Sequence, residues 1–277
     1  MTDLTHPAAP MRLSRLSRLW RSEPQLAAAG LFTLLLMLPT GAAALLDTRT
    51  LEGVGIWDKP LKFQLSLGIY LLSLSVFAHW LPRGFTDGRI YRPYRASVLV
   101  AIGLELAWLM GAAVLGVASH FNSTEIGTMI YRAMGGLAIW LASITLVFGL
   151  VILRRGPDHG APALKEGVGL GLALVLPLTL VTAGFMGVLG SHQVGVGAEV
   201  KGLWPLGWAR DGGDLRVAHF FGTHALHFVP ALALLSVWLF GPKQVWPVRI
   251  GAALFVGLVA YTFAEALADR PFLGFLS

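Results

Sequence analysis

Asp214-Leu-Arg-Val-Ala-His-Phe-Phe-Gly-Thr-His-Ala-Leu-His-Phe-Val-Pro230 places His219, His224 and His227 at the head of an apolar run that continues from Ala231 to Phe240. The run is long enough to cross a bilayer. Imidazoles are costly in hydrocarbon, so histidines in such a segment face a cavity, a cofactor or a partner group. The stretch decides the class of the chain and marks its first candidate site.

Composition agrees over the whole length. The 277 residues are 55% hydrophobic and 13% charged, about half the charge of a soluble domain. Several apolar runs reach the ~20 residues of a membrane helix, and the alternating ten-residue segments of a membrane barrel are missing. The expected fold is therefore all-α, a polytopic transmembrane helix bundle. Zero cysteines exclude disulfides, thiolate metal sites, iron–sulfur clusters and covalently attached haem. Any metal or haem has to be held by His, Met, Tyr or carboxylate.

Outward from the opening stretch, apolar periods predict spans over residues 26–46, 62–81, 96–119, 128–153, 167–190, 217–240 and 248–267. Residues 1–24 read as a basic interfacial segment, with Arg12, Arg15, Arg18 and Arg21 along one helical face beside Leu13, Leu16 and Leu19. Residues 25–277 read as one seven-helix membrane domain. With the N-terminus inside, the inner segments carry 13 Lys and Arg and the outer segments seven, so the expected topology is N-in and C-out. Trp20, Trp80 and Trp246 then fall at inner boundaries, and Trp57, Trp204 and Trp208 at outer ones. The net charge of +6 reflects these loops rather than a nucleic-acid surface.

The polar groups gather towards the outer side. His219 opens span six, with His224 roughly 8 Å and His227 roughly 12 Å deeper along a helix. Spans three and five each end in Ser-His, which brings Ser119-His120 and Ser191-His192 to the same membrane level. Glu105 sits in the middle of span three at the depth of His227. A Glu105–His227 contact is expected, with Glu105 as the candidate catalytic carboxylate and Glu265 and Arg132 as further partners. Lys59 and Lys62 in Trp57-Asp58-Lys59-Pro60-Leu61-Lys62-Phe63, together with Arg132 and Arg216, lie at the outer interface, where basic groups hold haem propionates, lipid phosphates or an anionic substrate. Hydrolase and phosphate-loop motifs are lacking.

Residues 184–227 resemble part of a haem A synthase half-bundle. The likeness rests on Gly187 and Gly190 at the end of span five, Trp204-Pro205-Leu206 in the outer loop, and His219 opening span six. It implies that His219 is an axial haem ligand on the outer side. The segments Trp57 to Phe63 and Asp214 to His224 are also similar to signatures of an uncharacterised bacterial membrane family.

The expectation is a multi-pass bacterial inner-membrane protein. It binds haem b through His219 or His224, with His120 or His192 opposite, and Ser119 or Ser191 holds a ligand ring. The role is redox, either electron transfer or oxidation of a quinol or another lipid-soluble substrate. Two alternatives stand beside it. One is a Cu, Zn or Fe ion on His219, His224 and His227 with Glu105; the other is a non-enzymatic transporter, channel or assembly factor with a polar cavity. Expected partners are membrane lipids, a quinone, and a second copy or a membrane-complex partner.

Overall fold

A computed structural model describes residues 22–51, 53–122, 124–195, 202–203 and 206–274. The four N-terminal arginines, Trp20, Lys201, Trp204 and Pro205 lie outside the described residues. The chain is an all-α polytopic bundle. The long helices are α1 Pro24–Leu35 and α2 Met37–Leu46, α3 Asp58–Phe77, α4 Tyr91–Leu115, α5 Glu125–Arg155, α6 Pro162–Leu189, α7 Leu215–Thr223, α8 Ala225–Phe240 and α9 Trp246–Leu267. Among the described residues six apolar helices are long enough to span a bilayer, with α1 and α2 together forming one of them, and the number is seven if the bent pair α7–α8 counts as one span.

The departures from the expected spans have local causes. Pro39 has no N–H to offer the carbonyl of Leu35 and crowds it, and the first span is interrupted between Leu35 and Met37. The third span stops at Leu115, short of residue 119, because Gly116 takes a left-handed conformation (φ +68°) that caps the helix. At their other ends, α3 and α4 run past the apolar stretch into Asp58, Lys59 and Arg92, since a helix does not have to stop at the hydrocarbon boundary. Arg95 is no loop residue. It lies buried in the second turn of α4, paired at 2.9 Å with buried Glu23 ahead of α1.

Small residues set the helix spacing. A side chain on Gly149 of α5 would meet Ala173 N at 2.5 Å and Gly169 O at 2.7 Å, so α5 and α6 pack backbone to backbone. Two residues to either side of Gly169, α6 turns Gly167 to Ala233 and Gly171 to Pro230 of α8. Alternate glycines of Gly167-Val-Gly-Leu-Gly171 thus serve two neighbours, the small-residue packing on which membrane helices rely. Leu71, Val98, Ile144, Phe148, Leu172 and Val229 fill the centre, while Leu38, Val188 and Trp238 point outward, as a lipid-facing surface requires.

Short two-residue ladders organise two of the interhelical loops. Thr50 pairs with Gly55 between α2 and α3, and Gln193 with Asp214 between α6 and α7. The second ladder, with the Leu215 N–H donated to His192 O at 2.9 Å, fixes where α7 begins.

Candidate functional site

The expected sixth span is not one helix. The α7–α8 pair bends by 60° at a break, and the residue at the break is His224 (φ −92°, ψ 8°). Side chains compete here for helix carbonyls. Thr223 donates its hydroxyl to His219 O at 2.9 Å, and His224 Nδ1 donates to Phe220 O at 2.8 Å. Such back-bonding bends helices, and Pro230 removes a further N–H from the turns that follow. Non-helical backbone at membrane depth survives where protein buries it or where it lines a cavity.

Asp214 builds the N-terminal end of this unit. Its side chain is fully buried and accepts from Ala209 N at 2.9 Å, Arg216 N at 3.0 Å and the Arg216 guanidinium at 2.5 Å. Arg216 also donates to Gly207 O at 2.6 Å. Arg216 Nε and Nη2 thus fix the start of α7.

The three histidines are held differently, and each hydrogen bond assigns a tautomer. His224 has its Nδ1 against a carbonyl, which accepts only, so Nδ1 carries the proton. His227 Nε2 lies 2.8 Å from Ser73 Oγ on α3. Ser73 gives its one proton to Ile69 O at 2.8 Å, and both contacts are satisfied when His227 Nε2–H is the donor. His219 Nδ1 lies 3.2 Å from Thr182 Oγ1 on α6, and that hydroxyl donates to Leu178 O at 2.9 Å. The same count makes His219 Nδ1–H the donor. Among the described residues no hydrogen bond reaches the remaining ring nitrogen of any of the three. The helix break therefore presents three lone pairs, on His219 Nε2, His224 Nε2 and His227 Nδ1.

Aromatic rings surround the break. Phe220 stacks on His224 at 4.1 Å between centroids and meets Trp208 edge-on at 5.4 Å, while Phe228 packs on Phe221 and Phe255. The rings of His224 and His227 are 5.6 Å apart.

His120 and His192 do follow the C-terminal ends of α4 and α6, and a chain of aromatic contacts links them to each other. His120 packs on Tyr131 at 5.6 Å, Tyr131 on Phe121 at 5.3 Å, and Phe121 on His192 at 6.3 Å. Ser119 Oγ is 3.2 Å from His120 Nδ1, as expected, whereas the Ser191 hydroxyl bonds to Gln193. Burial and then the charge of Lys59 push His120 down to about 4. Lys59, Lys62 and Arg132 are exposed at this end.

Glu105 is buried in α4, and among the described residues no hydrogen bond or ion pair joins it to His227, whose partner is Ser73. Glu265 pairs instead with Arg270 at 2.6 Å. Among the described residues no group of three His, Asp or Glu side chains is placed to share a metal ion. Ser73, Thr182 and the Phe220 carbonyl are the functional partners that sequence reading missed. Only the four-residue step from Phe220 to His224 was visible in advance.

No family model, no curated protein and no solved structure matches the chain.

Proposed function

We propose that this integral membrane protein binds haem b through His224 and serves a redox role at the outer side of the membrane. One observation carries the reading. The Nδ1–H of His224 is tied to a backbone carbonyl, which fixes the ring and leaves Nε2 as a lone pair, the arrangement that orients imidazole ligands of iron. The lack of a three-residue cluster among the described residues favours haem over a bare ion, which needs several protein ligands. It does not weigh against haem, whose porphyrin brings four nitrogens and asks the protein for one or two. The aromatic wall of Phe220, Phe221 and Phe228 suits a flat apolar ligand, and Lys62 and Arg132 at the outer end suit propionates. When bound, the haem supplies one-electron chemistry, and a quinol is the class of donor the lipid phase offers. His219, to which the haem A synthase resemblance points, also has a bare Nε2 and is the rival ligand.

A second reading is favoured by the break itself. Discontinuous helices at membrane depth hold substrates and coupling ions in transporters, and each of the three imidazoles gains a proton on its bare nitrogen without losing its anchoring bond. Titration of the purified, haem-free protein with haem separates the two. A saturable Soret shift at one haem per chain supports ligation. A protein that leaves haem unperturbed contradicts it and favours the proton or substrate cavity.

A further inference from the structure

Beyond α9 the chain folds back over the helix end and closes a cavity. The helix stops at Leu267, the Arg270 N–H returns to Glu265 O at 3.0 Å, and a turn from Pro271 to Gly274 follows. Phe272 holds that turn by packing on Trp208 at 5.6 Å and on Phe221 at 6.0 Å between centroids. Between the turn, α9 and the start of α7 lies a cavity of about 380 Å³, within the size range of small-ligand sites. Val217, Ala266 and Phe272 form its apolar side, and Tyr261, Glu265 and Arg270 its polar side. None of the three histidines lines it; His219, two residues on from Val217, turns to Thr182 of α6.

The polar side offers one charge of each sign with bonding capacity left over. Arg270 Nη2 donates to Glu265 Oε1 at 2.6 Å, and among the described residues no other hydrogen bond reaches either side-chain charge or the Tyr261 hydroxyl. The rest of the guanidinium fork, the second carboxylate oxygen and the phenol remain for a ligand. Asp214 also borders the cavity, but its carboxylate is engaged by Ala209 and Arg216. A lone anion would meet Glu265 and a lone cation would meet Arg270. The lining therefore selects a ligand that carries both charges a few atoms apart.

The surface leading to the cavity points to its source. Ile250, Leu254, Leu258 and Tyr261 are exposed and recur every three or four residues, one apolar stripe along α9, and Glu265 continues the row one turn further. An acyl chain laid on that stripe brings its head group to Glu265 and Arg270. Tyr261 then stands at the boundary between chain and head group, where tyrosines anchor membrane helices.

We propose that this cavity binds the head group of a zwitterionic phospholipid with a primary amine, phosphatidylethanolamine. The phosphate takes donors from Arg270 and Tyr261, and the ammonium gives an N–H to Glu265. The site is independent of what the histidines bind.

Native mass spectrometry of the delipidated full-length protein tests this, with phosphatidylethanolamine, phosphatidylcholine and phosphatidylglycerol of the same acyl chains added in turn. The expected result is one phosphatidylethanolamine retained per chain, in preference to the other two. Glu265→Gln and Arg270→Gln should each lower its retention about tenfold, the loss of one charge-assisted hydrogen bond, and Tyr261→Phe about threefold. Arg249→Gln, which breaks the comparable pair with Glu166 at the other end of α9, should leave it unchanged. Should a variant fail to fold, wild-type protein irradiated with phosphatidylethanolamine carrying a diazirine close to the head group should bear its adduct between Tyr261 and Gly274. Equal retention of phosphatidylcholine or phosphatidylglycerol, full retention in both Glu265→Gln and Arg270→Gln, an equal loss in Arg249→Gln, or adducts confined to other segments overturns the proposal. So does displacement of the lipid by free O-phosphoethanolamine at equal concentration, which would assign the cavity to a soluble zwitterion.

Discussion

Ser73 Oγ on α3 accepts the Nε2–H of His227 on α8 at 2.8 Å, and it does so because its own proton goes to Ile69 O at the same distance. The bond crosses between two spans far apart in sequence and orients one of the three imidazoles at the helix break. Replacing Ser73 with Ala leaves a half-buried ring N–H without this acceptor, a loss of about 0.5–1.5 kcal/mol. Ser73→Thr, which keeps the hydroxyl, should recover most of it. Equilibrium unfolding in detergent measures both.

The hydroxyl proton counts make a spectroscopic prediction. In haem-free protein labelled with ¹⁵N-histidine, His219 and His224 should show the Nδ1–H tautomer and His227 the Nε2–H tautomer. Ser73→Ala should scramble the His227 signals and leave those of His224 in place, because the latter depend on the Phe220 carbonyl. An Nε2–H signal from His224 would contradict the geometry of the break.

Helix spacing is tested by paired glycine substitutions on α5. A Cβ at Gly149 would run into the backbone of α6, whereas a Cβ at Gly135 meets nothing within 4 Å. Gly149→Ala should cost about 1–3 kcal/mol by forcing the helices apart. Gly135→Ala should be neutral, or stabilising by up to about 1 kcal/mol, through reduced freedom of the unfolded chain. Thermal unfolding of the two variants side by side gives the difference.

His120 supplies a pH dependence outside the spans. Burial, followed by Lys59, lowers it from 6.5 to about 4. As pH falls below about 6.5 the unfolded chain takes up this proton and the folded chain does not, so stability declines down to about 4 and then levels off. The contribution is at most about 3 kcal/mol. His120→Gln should flatten the profile in that window, and Lys59→Gln should narrow it from the acid side. Denaturation curves collected across the range check both slopes.

Much of the scaffold was legible because hydrocarbon imposes a coarse rule. Twenty apolar residues bounded by charge mark a helix, and the spans ending at Leu46, Leu189 and Leu267 were found to within a residue. Gly116 stopped α4 early through a backbone conformation that apolarity does not encode. The break at His224 was invisible to a hydropathy pattern, since the competing donors are the side chains of Thr223 and His224 themselves. Within the site, the three histidines could be picked out by residue type and depth. Their partners could not. Ser73 and Thr182 resemble the other hydroxyls of apolar helices, and only the packing of α3 and α6 against the broken span selects them. The Glu105–His227 pairing failed for a related reason, because equal depth does not place two side chains on facing sides of their helices.

The most direct test of the proposed role is the reduced-minus-oxidised visible spectrum of the haem-loaded protein beside its His224→Ala, His219→Ala and His227→Ala variants. The account predicts a Soret band with sharp α and β bands that is lost in His224→Ala and kept in the other two. Bands that survive in His224→Ala, or that vanish only in His219→Ala, would contradict His224 as the ligand. A protein that acquires no bands at all would contradict haem binding itself.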